Sequence, residues 1–448
     1  MLRLRLKYQL RTSTITAVGW LIMVGVCSAQ SVAVNQLPTN GIVTRGSATI
    51  SNSGATTTIN QASDKAIINW QDFSIGANGT VNFNQSSKNS TILNRVIGDD
   101  ASQIFGNLNA NGTVFLVNQN GILFGESARI NVGGLVAATA NINDDNFWSG
   151  NYIFDHQDNN TAFIRNDGLI SIKETGLAAF VAPYVANNGI INARLGRVAV
   201  GATRGAFSID FYGDNLIKFA VSDDKALALG FKDNDNTGVD ISGKIIAEGG
   251  SIAITADLAR EIVTDVITVN GELRANSISK QGGKIILSGG AKGNLRVNET
   301  AIVNASGVTG GEIIISGEKL FLDGALEASG DPKQYGDALG YLYATNVAQP
   351  VIDEVLSWSR GGSINATGNW ISLGGDLDTG GSNGGVINIL AEGFSNSGSL
   401  SSEGYWGNGG SVIIDIDRTI LEFDMAEINT SGVINGGEIN VIAGHQIT

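Results

Sequence analysis

A short unit that recurs along the second half of the chain restricts the fold more than any other feature of the sequence. Its copies start with a glycine pair at Gly361, Gly384, Gly409 and Gly436, spaced 23, 25 and 27 residues apart, and continue with alternating apolar residues. Such alternation turns one face of a strand inward, and paired glycines permit the tight corner that precedes it. A repeat of this length with two or three short strands predicts one coil of a parallel β-helix.

Composition supports an all-β chain with a large core. Glycine contributes 60 of the 448 residues and proline 4, and the hydrophobic fraction of 42% is too high for a disordered chain. A propeller or a sandwich is the alternative, but propeller blades run to about 40 residues and carry more aromatic side chains. We therefore expect a solenoid.

The rhythm of the repeat breaks in two places, where we expect excursions from the coils. Residues 205–240 have the pattern of a hairpin followed by an acidic loop, and residues 331–360 contain Pro332, Pro350 and three tyrosines. The repeat β-helix is accordingly predicted over residues 241–448, with residues 331–360 as an insertion.

The amino terminus has the three parts of a secretory signal peptide. A basic stretch, an apolar run over residues 15–26 and a small-residue cleavage site at residues 27–29 follow one another. A membrane anchor is the alternative, but a spanning helix needs about 18–20 apolar residues, more than this run supplies. Residues 1–29 are therefore predicted to be removed during export.

Cleavage after Ala29 changes both the cysteine content and the charge of the chain. It removes the only cysteine, so the mature protein has no disulfide, and it removes four basic residues, which takes the net charge from −14 to −18. Such acidity argues against nucleic acid and against anionic membrane as partners.

Three motifs occur in order between about residues 35 and 140. They are Ala66-Ile67-Ile68-Asn69-Trp70, Ile92-Leu93-Asn94-Arg95-Val96 and Val114-Phe115-Leu116-Val117-Asn118-Gln119-Asn120-Gly121-Ile122. Together they resemble the haemagglutination-activity, or two-partner secretion, domain of filamentous-haemagglutinin-type passengers. The resemblance implies a right-handed parallel β-helix with an amino-terminal cap, and it assigns residues 30–204 to the secretion domain.

The third motif is the candidate secretion motif, and residues of the first two support it. The secretion motif consists of Asn118, Gln119, Asn120, Gly121 and Ile122, and the supporting residues are Asn69, Trp70, Asn94 and Arg95. The family sequence is usually Asn-Pro-Asn-Gly-Ile, so Gln119 replaces a proline and leaves the turn softer. Asn118 and Asn120 are typical of turn residues whose side chains bond to nearby backbone. Two roles stay open: they hold the fold of the cap, or they contact the transporter directly.

The resemblance also implies a route and partners. Passengers of this kind pass through the periplasm and cross the outer membrane of a Gram-negative bacterium through a barrel transporter, whose periplasmic modules recognise the amino-terminal domain. Residues 210–217 with Phe219 resemble the segment that follows this domain in the high-molecular-weight adhesin branch. We therefore expect a secreted or surface-exposed adhesin that attaches to a host or bacterial surface glycan or receptor.

Catalytic chemistry has little support in the sequence, and we expect no enzyme. His156 and His445 are far apart and no cysteine survives processing, so neither a cysteine–histidine dyad nor a multi-histidine metal site is available, and no metal or cofactor is predicted. A glycan-cleaving β-helix is the enzymatic alternative, since the chain has three aspartate pairs, at residues 99–100, 144–145 and 223–224. Adjacent aspartates on a strand face opposite ways, which suits loops better than a catalytic pair.

A second alternative function is the secretion part of a larger toxin or haemolysin. The sequence stops at Thr448, just after a fresh glycine pair and without a polar cap. We therefore expect that it is the beginning of something longer, and a reading frame that continues past Thr448 would favour this alternative.

Overall fold

The computed structural model describes residues 32–155, 161–210, 217–219, 238–257, 265–277, 282–330, 359–423, 426–444 and 446–447. Within these ranges the regular secondary structure is almost entirely β-strand, and the single α-helix, α1, spans Asp144–Ser149. Strands, numbered in chain order, stack in parallel register into three walls, as expected for a parallel β-helix. No helix in the described ranges is long and apolar enough to cross a membrane.

The first wall consists of short strands. They are β3 (Thr80–Gln85), β6 (Asn107–Ala110), β9 (Arg129–Val132), β13 (Leu169–Ile172), β16 (Ile190–Asn192), β21 (Lys244–Ile246), β24 (Glu272–Arg274), β27 (Ile302–Asn304), β29 (Ala325–Glu327), β31 (Asp376–Asp378), β33 (Ser399–Ser401) and β35 (Glu427–Asn429). The second wall contains β4 (Thr91–Val96), β7 (Thr113–Val117), β10 (Gly134–Ala138), β14 (Leu177–Ala182), β17 (Arg197–Thr203), β22 (Ser251–Asp257), β25 (Lys284–Ser288) and β36 (Glu438–Ala443).

The third wall and the second share their longest strands. The third wall contains β5 (Ser102–Ile104), β8 (Ile122–Phe124), β12 (Phe163–Asn166), β15 (Tyr184–Asn187), β20 (Gly238–Ile241), β23 (Asp265–Val269), β26 (Asn294–Val297) and β37 (Gln446–Ile447). Four strands bend from the second wall into the third: β28 (Glu312–Leu322), β30 (Ser363–Leu373), β32 (Val386–Asn396) and β34 (Ser411–Phe423).

Columns of apolar side chains fill the interior. On the first wall Leu108, Ile130, Ile170, Ile191 and Ile245 follow one another in register, and each is at most 1% exposed. Burial of one such side chain is worth about 1.5–3 kcal/mol. Because each coil continues the columns of its neighbour, the alternating pattern of the sequence becomes one continuous core.

The predicted glycine corners stack directly on one another. A Cβ atom at Gly250 would lie 1.9 Å from the carbonyl oxygen of Gly196, and one at Gly362 would lie 2.0 Å from that of Gly311. Only glycine allows the backbones of successive coils to approach so closely. The glycine pairs are therefore required by contact between coils as well as by the turn itself.

Asparagines beside these corners form the ladder that stacked amides can build between coils. The side chain of Asn435 donates to Asn408 Oδ1 at 2.8 Å, and the backbone N–H of Asn408 donates to Asn383 Oδ1 at 2.9 Å. These bonds join three successive coils at one corner.

An antiparallel hairpin covers the amino-terminal end of the coils. It consists of β1 (Ile42–Ser53) and β2 (Thr56–Trp70), and the two halves of β2 pair with β3 and with β4. Thus β2 is at once half of the cap and the first rung of two walls. This is the amino-terminal cap that the resemblance implied.

A small antiparallel sheet lies outside the coils. It consists of β11 (Ile153–Phe154), β18 (Phe207–Ile209) and β19 (Ile217–Phe219), and β18 pairs with both neighbours. The β18–β19 pair corresponds to the hairpin predicted at the start of residues 205–240. The acidic loop that follows it, and residues 331–358 of the predicted insertion, lie outside the described residues.

Candidate functional site

The secretion motif forms a tight turn between the second and third walls. Asn118, which follows β7, has no exposed surface, and its Oδ1 accepts the backbone N–H of Asn120 at 2.9 Å. Its Nδ2 donates to the carbonyl of Asp100 and to Ser102 Oγ, both at 3.0 Å. The predicted side-chain-to-backbone bonding of this turn is therefore confirmed for Asn118.

The rest of the motif closes the turn and enters the next strand. The N–H of Gly121 donates to the carbonyl of Asn118 at 3.2 Å, and Nδ2 of Asn120 donates to the carbonyl of Gly98 at 2.9 Å. The φ angle of Gly121 is +121°, a backbone conformation that favours glycine. Ile122 begins β8 and is fully buried, whereas Gln119, at the tip, is exposed.

The supporting residues lie on the two preceding rungs of the second wall, on β4 and β2. Indole Nε1 of Trp70 donates to Oδ1 of Asn94 at 3.0 Å, and Nδ2 of Asn94 donates to the carbonyl of Phe115 on the next coil at 3.3 Å. Asn94 has no exposed surface, so this chain of bonds satisfies a buried amide. It links the cap hairpin to the strand that leads into the secretion motif.

Arg95 connects the same coil to elements outside it. Its Nη1 donates to Asn69 Oδ1 at 3.2 Å, and its Nε donates to Asn141 Oδ1 at 2.9 Å. Its Nη2 donates both to the carbonyl of Ile142 and to Asp144 Oδ1, each at 2.6 Å. The guanidinium, only 15% exposed, thus bonds to the residues that lead into α1 and to the helix itself.

Two further cations, neither of them predicted from the sequence, attach the cap hairpin to α1. Lys65 Nζ donates to the carbonyls of Phe147 at 3.2 Å and of Trp148 at 2.7 Å, near the carboxyl end of the helix, where a cation is favourable. Burial lowers the pKa of the Lys65 ammonium. Arg45 pairs with Asp145 at 2.7 Å and lies 4.3 Å from the Trp148 ring centroid.

A second apolar cluster lies on the outer face of the second wall. Phe115 and Val136 point outward from β7 and β10, opposite to the core side chains beside them, and are fully buried. Phe147 of α1 covers Phe115 at 5.2 Å between ring centroids, and Phe154 of β11 stacks on Phe207 of β18 at 4.6 Å. The signal for this two-sided burial was present in the sequence as apolar runs without alternation, which indicate strands buried on both faces.

The structure brings the predicted site residues to one corner of adjacent coils. Arg95 pairs in register with Val117, directly before Asn118, and Asn120 bonds to the loop that follows β4. The corner is a hydrogen-bonded structural assembly with one exposed tip, Gln119. The role of these residues in secretion stays a prediction.

The candidate catalytic groups are placed differently. Of the aspartate pairs, Asp144 and Asp145 open α1 and pair with Arg95 and Arg45, while residues 99–100 lie in the bend after β4. The pair at residues 223–224 and both histidines lie outside the described residues. Within the described ranges no three His, Cys, Asp or Glu side chains form a group that could hold a metal ion.

Two proteins of known name are similar in sequence to this chain. Two heme/hemopexin-binding proteins of Haemophilus influenzae are similar to the chain, at 30% identity over 311 residues and, in strain Rd, at 28% over 281 residues. The alignments cover 67% and 61% of this chain but 33% and 30% of those proteins. The chain thus spans about a third of the length of the curated relatives it matches.

A solved structure shares the fold. The crystal structure of the HMW1 secretion domain from Haemophilus influenzae superposes with a TM-score of 0.60 at 23% identity, over 91% of this chain and 97% of that one. This agreement confirms the predicted β-helical fold.

A family model described as the TPS secretion domain matches residues 29–315, from the predicted cleavage site through the cap, the secretion motif and the coils beyond it. The match covers well over half of the chain and confirms the predicted resemblance. The chain therefore belongs to the TPS secretion domain family, the passengers of two-partner secretion systems.

Proposed function

We propose that this passenger is an adhesin that attaches its bacterium to host cells, glycans or other bacteria. Membership of the secretion-domain family implies an outer-membrane transporter as partner. The adhesive step is our proposal, and it places the mature chain at the surface of a Gram-negative cell or in the medium, after passage through the periplasm.

One observation in particular supports adhesion. The walls hold outward side chains in register from coil to coil, as in the Asn365–Asn388 pair, where Nδ2 of Asn388 donates to Oδ1 of Asn365 at 2.7 Å. A scaffold of this kind displays side chains at a fixed spacing from coil to coil, which suits recognition of an extended ligand.

Export and adhesion can be tested in one strain. The tagged chain is produced with and without its candidate transporter, and surface labelling and blots of the medium measure export. Adhesion of the same cells to epithelial cells and to other bacteria is then counted. Export without the transporter would contradict the secretion route, and exported protein that confers no adhesion would contradict the adhesin proposal.

We also propose that the chain has no catalytic activity. The carboxylates of Asp144 and Asp145 are each paired with an arginine, which leaves them poorly suited to act as an acid–base pair. Release of reducing sugar from a polysaccharide panel by the purified secreted chain would contradict this proposal.

Binding of heme or hemopexin is a second candidate, because the similar proteins bear that name and one is 30% identical over 67% of this chain. Titration of the secreted chain with hemin and with hemopexin tests it. Saturable binding of either molecule, without adhesion to cells, would favour this candidate over the adhesin.

A further inference from the structure

The outer face of the first wall carries stacked asparagines near the amino-terminal cap. Asn82, Asn109 and Asn131 follow one another in register on β3, β6 and β9. A cleft of about 390 Å³ opens along them, and of the described residues that line it only Lys173 is charged. The cleft is therefore a polar, amide-rich surface that bears one cation, in a chain whose net charge is −14.

Some of the amides in the cleft are already engaged. Asn111 is fixed by two bonds with the backbone of Gln85, of 2.9 and 2.7 Å, and Nδ2 of Asn84 donates to Asn60 Oδ1 at 2.9 Å. These bonds hold the walls of the cleft in place. A binding surface that is fixed in advance loses less entropy when a ligand arrives.

Other amides in the cleft retain hydrogen-bonding capacity. Nδ2 of Asn109 donates to Oδ1 of Asn82 at 3.0 Å, which leaves the NH₂ group of Asn82 and the carbonyl oxygen of Asn109 available. Asn131 is exposed, and within the described part of the chain its side chain makes no hydrogen bond. Each amide offers donors and an acceptor within one plane, a combination that suits hydroxyl groups.

We infer that this cleft binds an acidic oligosaccharide, with Asn82, Asn109 and Asn131 bonded to sugar hydroxyls and Lys173 paired with a sugar carboxylate. Successive strands lie about 4.8 Å apart, close to the length of one sugar unit, so successive asparagines can meet successive units. The cation favours an acidic sugar here, whereas the negative charge of the molecule as a whole repels one elsewhere. The inference rests on the proposed adhesive function and names its ligand class and site.

The secreted chain is first applied to a printed array of neutral and carboxylated oligosaccharides, and the retained sugars are titrated calorimetrically. Asn131→Ala is expected to weaken binding about tenfold, the effect of one lost hydrogen bond to a ligand. It should leave the melting temperature unchanged. Lys173→Gln should weaken the binding of carboxylated sugars by a similar factor. It should leave unchanged the binding of neutral analogues that have the same sugar backbone.

Asn192→Ala is the matched control, because Asn192 is also exposed on the first wall, on β16, but does not line the cleft. It should bind like the unmodified chain. Retention of no sugar, unchanged binding by Asn131→Ala, or equal loss in the control would overturn the inference. Loss of export in Asn131→Ala would instead assign this face to the transporter, which also overturns it.

Cell adhesion separates failure of the site from failure of the function. If cells that export Asn131→Ala adhere as strongly as the parent strain, the adhesin proposal stands and the cleft is excluded as its binding site. If the parent strain itself does not adhere, the adhesin proposal fails whatever the array shows.

Discussion

Asn118 is a polar side chain with no exposed surface, and its hydrogen bonds to three different residues account for its burial. Asn118→Ala removes all of these bonds and leaves the N–H of Asn120 without its acceptor. We expect the free energy of local opening around β7 and β8 to fall by about 2 kcal/mol, measured by amide hydrogen exchange. Glu126→Ala, at an exposed position in the turn after β8, is the control and should change little.

The same variants distinguish the two roles left open for the motif. If Asn118→Ala exchanges like the unmodified protein yet is not exported, the stability prediction is wrong and the motif contacts the transporter directly. If exchange increases and export falls together, the motif acts by holding the fold.

Gln119 occupies the second position of the four-residue turn that closes with the Gly121 N–H to Asn118 carbonyl bond. Proline is favoured at this position, and the φ angle of Gln119 is not positive. Gln119→Pro should therefore raise the local opening free energy by about 0.5–1 kcal/mol, mainly by restricting the unfolded chain. The measurement is the hydrogen exchange of β8 amides in Gln119→Pro compared with Gln119→Ala. Faster exchange in the proline variant would contradict this prediction.

At the scale of elements, α1 acts as a cover for the second wall. Phe147 is fully buried, and its ring lies edge-on against Phe115. Phe147→Ala should cost about 3 kcal/mol, because removal of a large buried ring also leaves a cavity. Amides of β11 and β18 should then exchange faster while those of β7 stay protected. Ser149→Ala, at an exposed position of the same helix, is the control. If the amides of β7 exchanged faster to the same extent as those of β11 and β18, α1 would not be a local cover.

Adjacent rungs of the first wall contain a like-charge pair. Glu327 on β29 lies in register with Asp378 on β31, and burial, followed by the charge of Asp378, raises the pKa of the Glu327 carboxyl. A raised pKa means that stability is highest while the group is protonated and falls as pH rises through the folded-state pKa. Glu327→Gln should thus stabilise these coils at pH 7, by about 0.5–1 kcal/mol.

The pH dependence checks this assignment. The gain should vanish below about pH 3, where Glu327 is protonated in both folded and unfolded chains. Urea midpoints measured at pH 7 and at the acid pH give the effect. The control is Glu427→Gln, because Glu427 is an exposed glutamate on the same wall. A gain that persists at acid pH would show that charge is not its cause.

The sequence was informative about the coils and much less so about what covers them. Alternation predicts which residues of a strand face inward, because period two belongs to the strand itself, and the glycine pairs mark the corners. Arg45 and Asp145, by contrast, lie 100 positions apart, and no local pattern links them. The unbroken apolar run around Phe115 indicates a covered outer face, yet it cannot say which distant segment provides the cover.

At the scale of the whole molecule, contacts occur between neighbouring coils, so stability is approximately a sum of coils and of the interfaces between them. The cap hairpin begins this series, since β2 is the first rung of two walls. A destabilising substitution at one corner should therefore lower the stability of the coils that follow it in the chain. The coils between that corner and the cap should keep their stability.

Gly250→Ala tests this propagation. The added Cβ atom would lie 1.9 Å from the carbonyl oxygen of Gly196. Strand β22 could therefore not pair with β17 without displacement of the backbone. Limited proteolysis with mass spectrometry should show cleavage after about residue 250, with a protected fragment that contains the cap and the secretion motif. Gly436→Ala is the control, because a Cβ there meets nothing within 4 Å. Equal cleavage on both sides of residue 250 would mean that the coils unfold as one cooperative unit, whereas cleavage confined to the carboxyl side would show that the coils nearer the cap stay folded without those that follow them.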